Sequence, residues 1–161
     1  VSIRARRFAL WTLAVATSGA IGAVVSRGPL DEIPELLADT GLYSDIESHR
    51  IARDVLAFEP QYPLWTDGAV KKRWIRLPPG TSIDASDPDH LVFPAGTRMW
   101  KEFGFERRVE TRFLLLGTDG KWEFASYLWS ADERSATLAP ERGVPAACES
   151  APGVPYDVPG R

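Results

Sequence analysis

The chain has 161 residues, enough for one domain and an appendage but too few for two ordinary domains. Its net charge is −3, so it lacks the Lys/Arg excess with which nucleic-acid-binding chains meet phosphate, and nucleic acid is not expected as a partner. Cys148 is the single cysteine and there are two histidines, which excludes an intrachain disulfide and a Cys-rich zinc site and leaves little for a transition metal.

Arg4, Arg6 and Arg7 precede an uncharged run from Phe8 to Val25, and Arg27 closes it. As a helix this run rises about 27 Å, close to the ~30 Å thickness of the hydrocarbon core. A retained transmembrane helix is therefore expected over residues 1–27, with a short cytoplasmic lead. The basic cluster before the span places the amino terminus in the cytoplasm and the remainder on the periplasmic side of an inner membrane. A cleaved signal peptide is the alternative, with Ser18-Gly19-Ala20 as its small-x-small site. Ala14, Ser18 and Gly22 recur every four positions, with Ala16 and Ala20 beside them, so this stripe is the expected helix-packing interface. Phe8 and Trp11 are the expected membrane-interface anchors in contact with lipid.

Residues 28–64 read as a connector with short helices, one around Glu35–Ala38 ending at Gly41 and one over Ser48–Leu56. Residues 65–139 read as a β-rich domain. Its candidate strands are Val70–Leu77, His90–Phe93, Thr97–Phe105, Arg108–Leu116, Lys121–Ser130 and Ala136–Ala139, with Pro78-Pro79-Gly80 and Asp87-Pro88-Asp89 as turns. Arg108–Leu116 and Lys121–Ser130 flank Gly117-Thr118-Asp119-Gly120 and form the clearest hairpin. Val109, Thr111, Phe113 and Leu115 are expected on one face of its first strand. Neither strand has a wholly polar face, so the hairpin belongs at the centre of an antiparallel β-sandwich-like domain. The tail, residues 140–161, is rich in proline and glycine and reads as an extended strap without a regular element. The fold class is thus mainly β behind one amino-terminal helix.

Three constellations bear on chemistry. Asp84, Asp87 and Asp89, with His90 adjacent, are the densest set of oxygen ligands and the one weak metal candidate, for calcium. Their spacing lacks the turn glycine and closing glutamate of an EF-hand, and the competing reading is a turn whose carboxylates serve backbone amides. Asp67, Glu102, Glu110 and Glu123 include possible carboxylate pairs for glycoside chemistry, but no spacing selects a pair, and Lys101, Glu110 and Arg112 equally suit a cross-strand ion network. Trp65, Trp74, Trp100, Tyr127 and Trp129 suit either a sugar platform or a core. No phosphate loop or nucleophile elbow is present, and neither catalytic nor cofactor-binding residues are assigned.

Several blocks occur in order: Pro63-Leu64-Trp65-Thr66-Asp67-Gly68-Ala69, Lys72-Arg73-Trp74-Ile75, Leu77-Pro78-Pro79-Gly80, Phe93-Pro94-Ala95-Gly96-Thr97, Lys101-Glu102-Phe103, Val109-Glu110-Thr111-Arg112 and Tyr127-Leu128-Trp129. Together they resemble a bacterial exported domain that precedes c-type cytochrome modules in larger proteins, over roughly residues 40–159. In those relatives a segment similar to Tyr156-Asp157-Val158-Pro159 leads into a Cys-x-x-Cys-His haem motif. These 161 residues contain no such motif, so no haem is expected on them. The resemblance without the haem implies a non-catalytic accessory subunit of a membrane electron-transfer assembly. A photosynthetic reaction-centre or light-harvesting complex is the favoured setting and a respiratory complex the next. Its partners would be other subunits, a c-type cytochrome among them. An extracytoplasmic glycan-binding module is the alternative, and a hydrolase ranks behind it.

Overall fold

The computed structural model describes residues 32–62 and 68–160. Ten strands are present there: β1 (Tyr43–Asp45), β2 (Arg50–Ile51), β3 (Leu56–Ala57), β4 (Val70–Arg76), β5 (Arg98–Gly104), β6 (Arg108–Leu116), β7 (Trp122–Trp129), β8 (Ala136–Leu138), β9 (Val144–Ala151) and β10 (Val154–Val158). Strands β3 to β8 form one six-stranded antiparallel sheet in sequence order, while β1–β2 and β9–β10 are separate two-stranded ribbons. The chain is therefore mainly β, as its alternating patterns predict. The expected hairpin is β6–β7, with interior positions in the sheet. The layers facing the large sheet are two-stranded ribbons and irregular chain.

Register explains the core. Trp74, Trp100, Phe113 and Ala125 stand opposite one another on successive strands, forming a transverse row on the first face of the sheet. Residues of the connector cover that row: Leu37, Leu42, Tyr43 and Val55 are buried against it, with Ile33, Ile46 and Ile51 packed alongside. Trp100 and Phe113 stack with ring centroids 5.6 Å apart. Two buried indole N–H groups also find acceptors. Trp100 Nε1 donates to Thr40 Oγ1 at 3.0 Å, and Trp129 Nε1 to Thr111 Oγ1 at 3.0 Å. A buried donor left without a partner would cost about 1–3 kcal/mol, which is why threonines lie beneath the tryptophans.

Five expectations need correction. The Ser48–Leu56 helix is absent; β2 and β3 take its place. Asp45 Oδ1 accepts from the Glu47 and Ser48 amides, and His49 has φ +54°, so the chain turns back where a helix would continue. The first helix is a single 3₁₀ turn, Leu37–Thr40, that does end at left-handed Gly41. Between His90 and Phe93 there is only one bridge, Asp84 to Val92, because the Asp87-Pro88 turn leaves too little chain for a strand.

The tail is not a structureless strap, since it forms the β9–β10 ribbon. A two-stranded ribbon uses the N–H groups on one side of each strand only, so its prolines are tolerated where they owe no donor. Finally, Val109 leaves the face of Thr111 and Phe113. Phe103 pairs with Glu110 and Gly104 with Arg108, so Val109 is the extra residue of a bulge and packs beneath β10 with Val158 and Ala139.

Among the described residues no helix is long and apolar enough to cross a membrane. The expected span, with Phe8, Trp11, Ala14, Ala16, Ser18, Ala20 and Gly22, lies outside them, as do Trp65 and Asp67.

Candidate docking face

The second face of the large sheet is the distinctive surface. The β9–β10 ribbon covers one end of it, where Val109, Ala139 and Val158 are buried with Phe105, Leu128, Cys148 and Tyr156 packed against them. Beyond that end, register lays out two parallel rows. Ile75, Met99, Leu114 and Phe124 stand opposite one another in turn, and so do Arg73, Lys101 and Arg112. Ile75, Met99 and Leu114 are half-buried and Phe124 is 60% exposed, so no described segment seals this apolar row. Sheet faces normally bury such a row.

The cationic row is costly in isolation. Like charges directly opposite one another on adjacent strands repel. Phe103 partly offsets this repulsion: Lys101 Nζ lies 4.6 Å and the Arg112 guanidinium 4.5 Å from its ring centroid. Glu110 supplies one negative charge, with Arg112 Nη2 donating to its Oε1 at 2.7 Å. The Arg112–Glu110 pair lies within β6, and Lys101 feels Glu110 only through its field, so the cross-strand network expected of Lys101, Glu110 and Arg112 is not formed by direct ion pairs among the described residues. One carboxylate against the three cations Arg73, Lys101 and Arg112 leaves a surplus of positive charge among the described residues of the row. Desolvation, and then repulsion from Arg73, Arg112 and Lys71, lowers the Lys101 pKa below the usual lysine value. An ammonium so placed gains from any acidic group brought over it.

A second polar cluster sits at the edge of the opposite face. Glu102 Oε2 accepts from Tyr43 Oη at 2.9 Å and from Arg108 Nε at 3.1 Å, while Arg108 Nη1 reaches Glu133 Oε2 at 2.6 Å. His49 Nε2 lies 2.7 Å from the Glu133 carbonyl oxygen, so two residues of positive φ hold each other in place. Burial, reinforced by Glu102, raises the Tyr43 pKa well above the tyrosine range and keeps it a donor. All these groups answer one another, so the cluster ties the β1–β2 ribbon to the sheet.

The other sequence candidates are placed as follows. Glu102 and Glu110 project from opposite faces of the sheet and cannot flank one glycosidic bond. Trp74, Trp100, Tyr127 and Trp129 are buried, so they make the core and present no sugar platform. Asp84 Oδ1 accepts from the Ser86 amide; Asp87 accepts from the Asp89 amide and, through Oδ2, contacts His90 Nδ1. Among the described residues no group of His, Cys, Asp and Glu is gathered for a metal ion. The two rows of this face were not legible in the sequence because the cations lie on three strands, and their alignment appears only once register is known.

Comparison of the chain with protein-family models, with curated proteins and with solved structures returned no match.

Proposed function

We propose that this domain is a non-catalytic accessory subunit that docks, through the second face of its sheet, onto an acidic surface of a partner subunit in a membrane electron-transfer assembly. The observation carrying this reading is the aligned row Arg73–Lys101–Arg112 beside the row Ile75–Met99–Leu114–Phe124, half-buried except for the exposed Phe124. A partner bringing carboxylates to the first row and apolar side chains to the second would relieve both costs at once. The residue blocks resembling a cytochrome-associated exported domain, and the apolar run Phe8–Val25, support a place on the periplasmic face of an inner membrane. A photosynthetic reaction-centre or light-harvesting complex is the favoured setting, followed by a respiratory complex.

The experiment is affinity purification of the tagged full-length chain from gently solubilised membranes, with haem and pigment spectra and subunit identification. The wild-type chain is expected to bring down redox-active subunits, and a Lys101→Glu, Arg73→Glu double variant to lose them as salt-sensitive contacts fail. A chain purifying alone, or a double variant retaining every partner, would sink the proposal.

A further inference from the structure

Arg76, the last residue of β4, stands directly opposite Arg98, the first of β5. Both guanidinium groups converge on Gly41, whose hypothetical Cβ would lie 2.8 Å from Arg76 Nη1 and 3.3 Å from Arg98 Nη1. The two arginines are not equally compensated. Arg76 pairs with Asp54, Nη2 to Oδ2 at 2.5 Å. Arg98 donates Nη1 to the Thr40 carbonyl at 2.8 Å, and among the described residues it forms no ion pair. Burial, and then repulsion from Arg76, lowers the Arg98 pKa below the usual arginine value. A guanidinium carries five N–H donors in a planar fork suited to an oxyanion, so most of the donor capacity of Arg98 remains open.

Arg76 and Arg98 also line a cavity of about 380 Å³, together with Leu77, Pro78, Pro79 and Ala95 among others. The volume falls in the ~300–1,000 Å³ range of small-molecule sites, and the lining has their usual form of an apolar wall with few polar groups. Gly96, at φ +86°, keeps one side open: a Cβ there would meet Pro78 Cγ at 3.2 Å. No carboxylate is among the lining residues.

We propose that this cavity binds a small organic anion, its carboxylate or phosphate head on the paired guanidinium groups of Arg98 and Arg76 and its apolar body against Leu77, Pro78 and Pro79. The site is independent of the docking face.

The test uses the ¹⁵N-labelled full-length chain in detergent, titrated with benzoate and separately with inorganic phosphate while the amides of Gly80, Gly96 and Thr97 are followed by NMR. Benzoate is expected to give saturable shifts there, with phosphate weaker because it lacks the apolar body. Arg98→Gln should weaken benzoate binding roughly tenfold or more, since it removes a charge-assisted contact. Should that variant fail to fold, Ala95→Phe decides, because it fills the cavity from an exposed turn position and should abolish the shifts. Absence of saturation with benzoate, binding of phosphate alone, or benzoate binding that survives Ala95→Phe would each overturn the proposal.

Discussion

The hydroxyl of Tyr156 on β10 donates to Oε1 of Glu110 on β6 at 2.6 Å, and the same oxygen takes two N–H groups from Arg112. This one buried carboxylate joins the carboxy-terminal ribbon to the docking face. Burial, aided by Glu110, raises the Tyr156 pKa above the tyrosine range, so the phenol stays a donor. Tyr156→Phe keeps the edge contact with Phe105, whose ring centroid lies 5.2 Å away, and removes only the hydroxyl. The expected loss is about 1–2 kcal/mol in urea unfolding, with faster amide exchange confined to β9–β10. Unchanged exchange in the ribbon would show that the bond does not fasten it.

Two glycines of the tail separate backbone strain from steric exclusion. Gly143 and Gly153 have φ +72° and +76°. A Cβ at Gly153 meets nothing within 4 Å, whereas one at Gly143 would collide with the Val158 carbonyl. Gly153→Ala is therefore expected to cost about 1–2 kcal/mol from left-handed strain alone. Gly143→Ala should cost clearly more and detach β10 from Val109. Differential unfolding by circular dichroism checks the order; equal losses would refute it.

The sequence was informative where one segment decides its own structure. The Gly117–Gly120 turn with its flanking β-rich runs located β6 and β7, and Pro78-Pro79-Gly80 located the end of β4. It misled where tertiary contacts decide. Ile51 and Val55 face the core, but Leu56 of the apparent helical stripe is exposed, because the chain crosses the core as short extended pieces. The bulge at Val109 is invisible to strict alternation, and it turns Val109 onto the face covered by β10. The docking face depends on three strand registers and the anion cavity on two turns brought together, so no single window of sequence contains either.

Arg108 is the hub of the opposite cluster. Glu102 and Glu133 both contact it, and Glu102 is nearly inaccessible to water. Arg108→Met leaves Glu102 buried with Tyr43 and a distant Lys72, 3.7 Å from its Oε1, as its remaining partners. The expected loss is about 3–5 kcal/mol, of which adding Glu102→Gln should restore a measurable part. Additive losses in this double-mutant cycle would show that the pair is uncoupled.

The cationic row gives a pH prediction with a definite sign. Desolvation first, then Arg73, Arg112 and Lys71, depress the Lys101 pKa, with Glu110 opposing them. Its charged form is thus less favourable in the folded chain than in the unfolded one. That penalty is complete below the folded pKa and disappears as pH rises through the unfolded lysine value of about 10.4. Tyr43, Tyr127 and Tyr156 act in the other direction, because their raised values give stability that is lost as pH climbs past the ordinary tyrosine range. The informative quantity is therefore the difference between wild type and Lys101→Met. The variant should be the more stable near neutrality, and its advantage should shrink as pH approaches the lysine range. Urea unfolding at a series of pH values measures this, and an advantage that stays constant would show that the row exerts no net repulsion on Lys101.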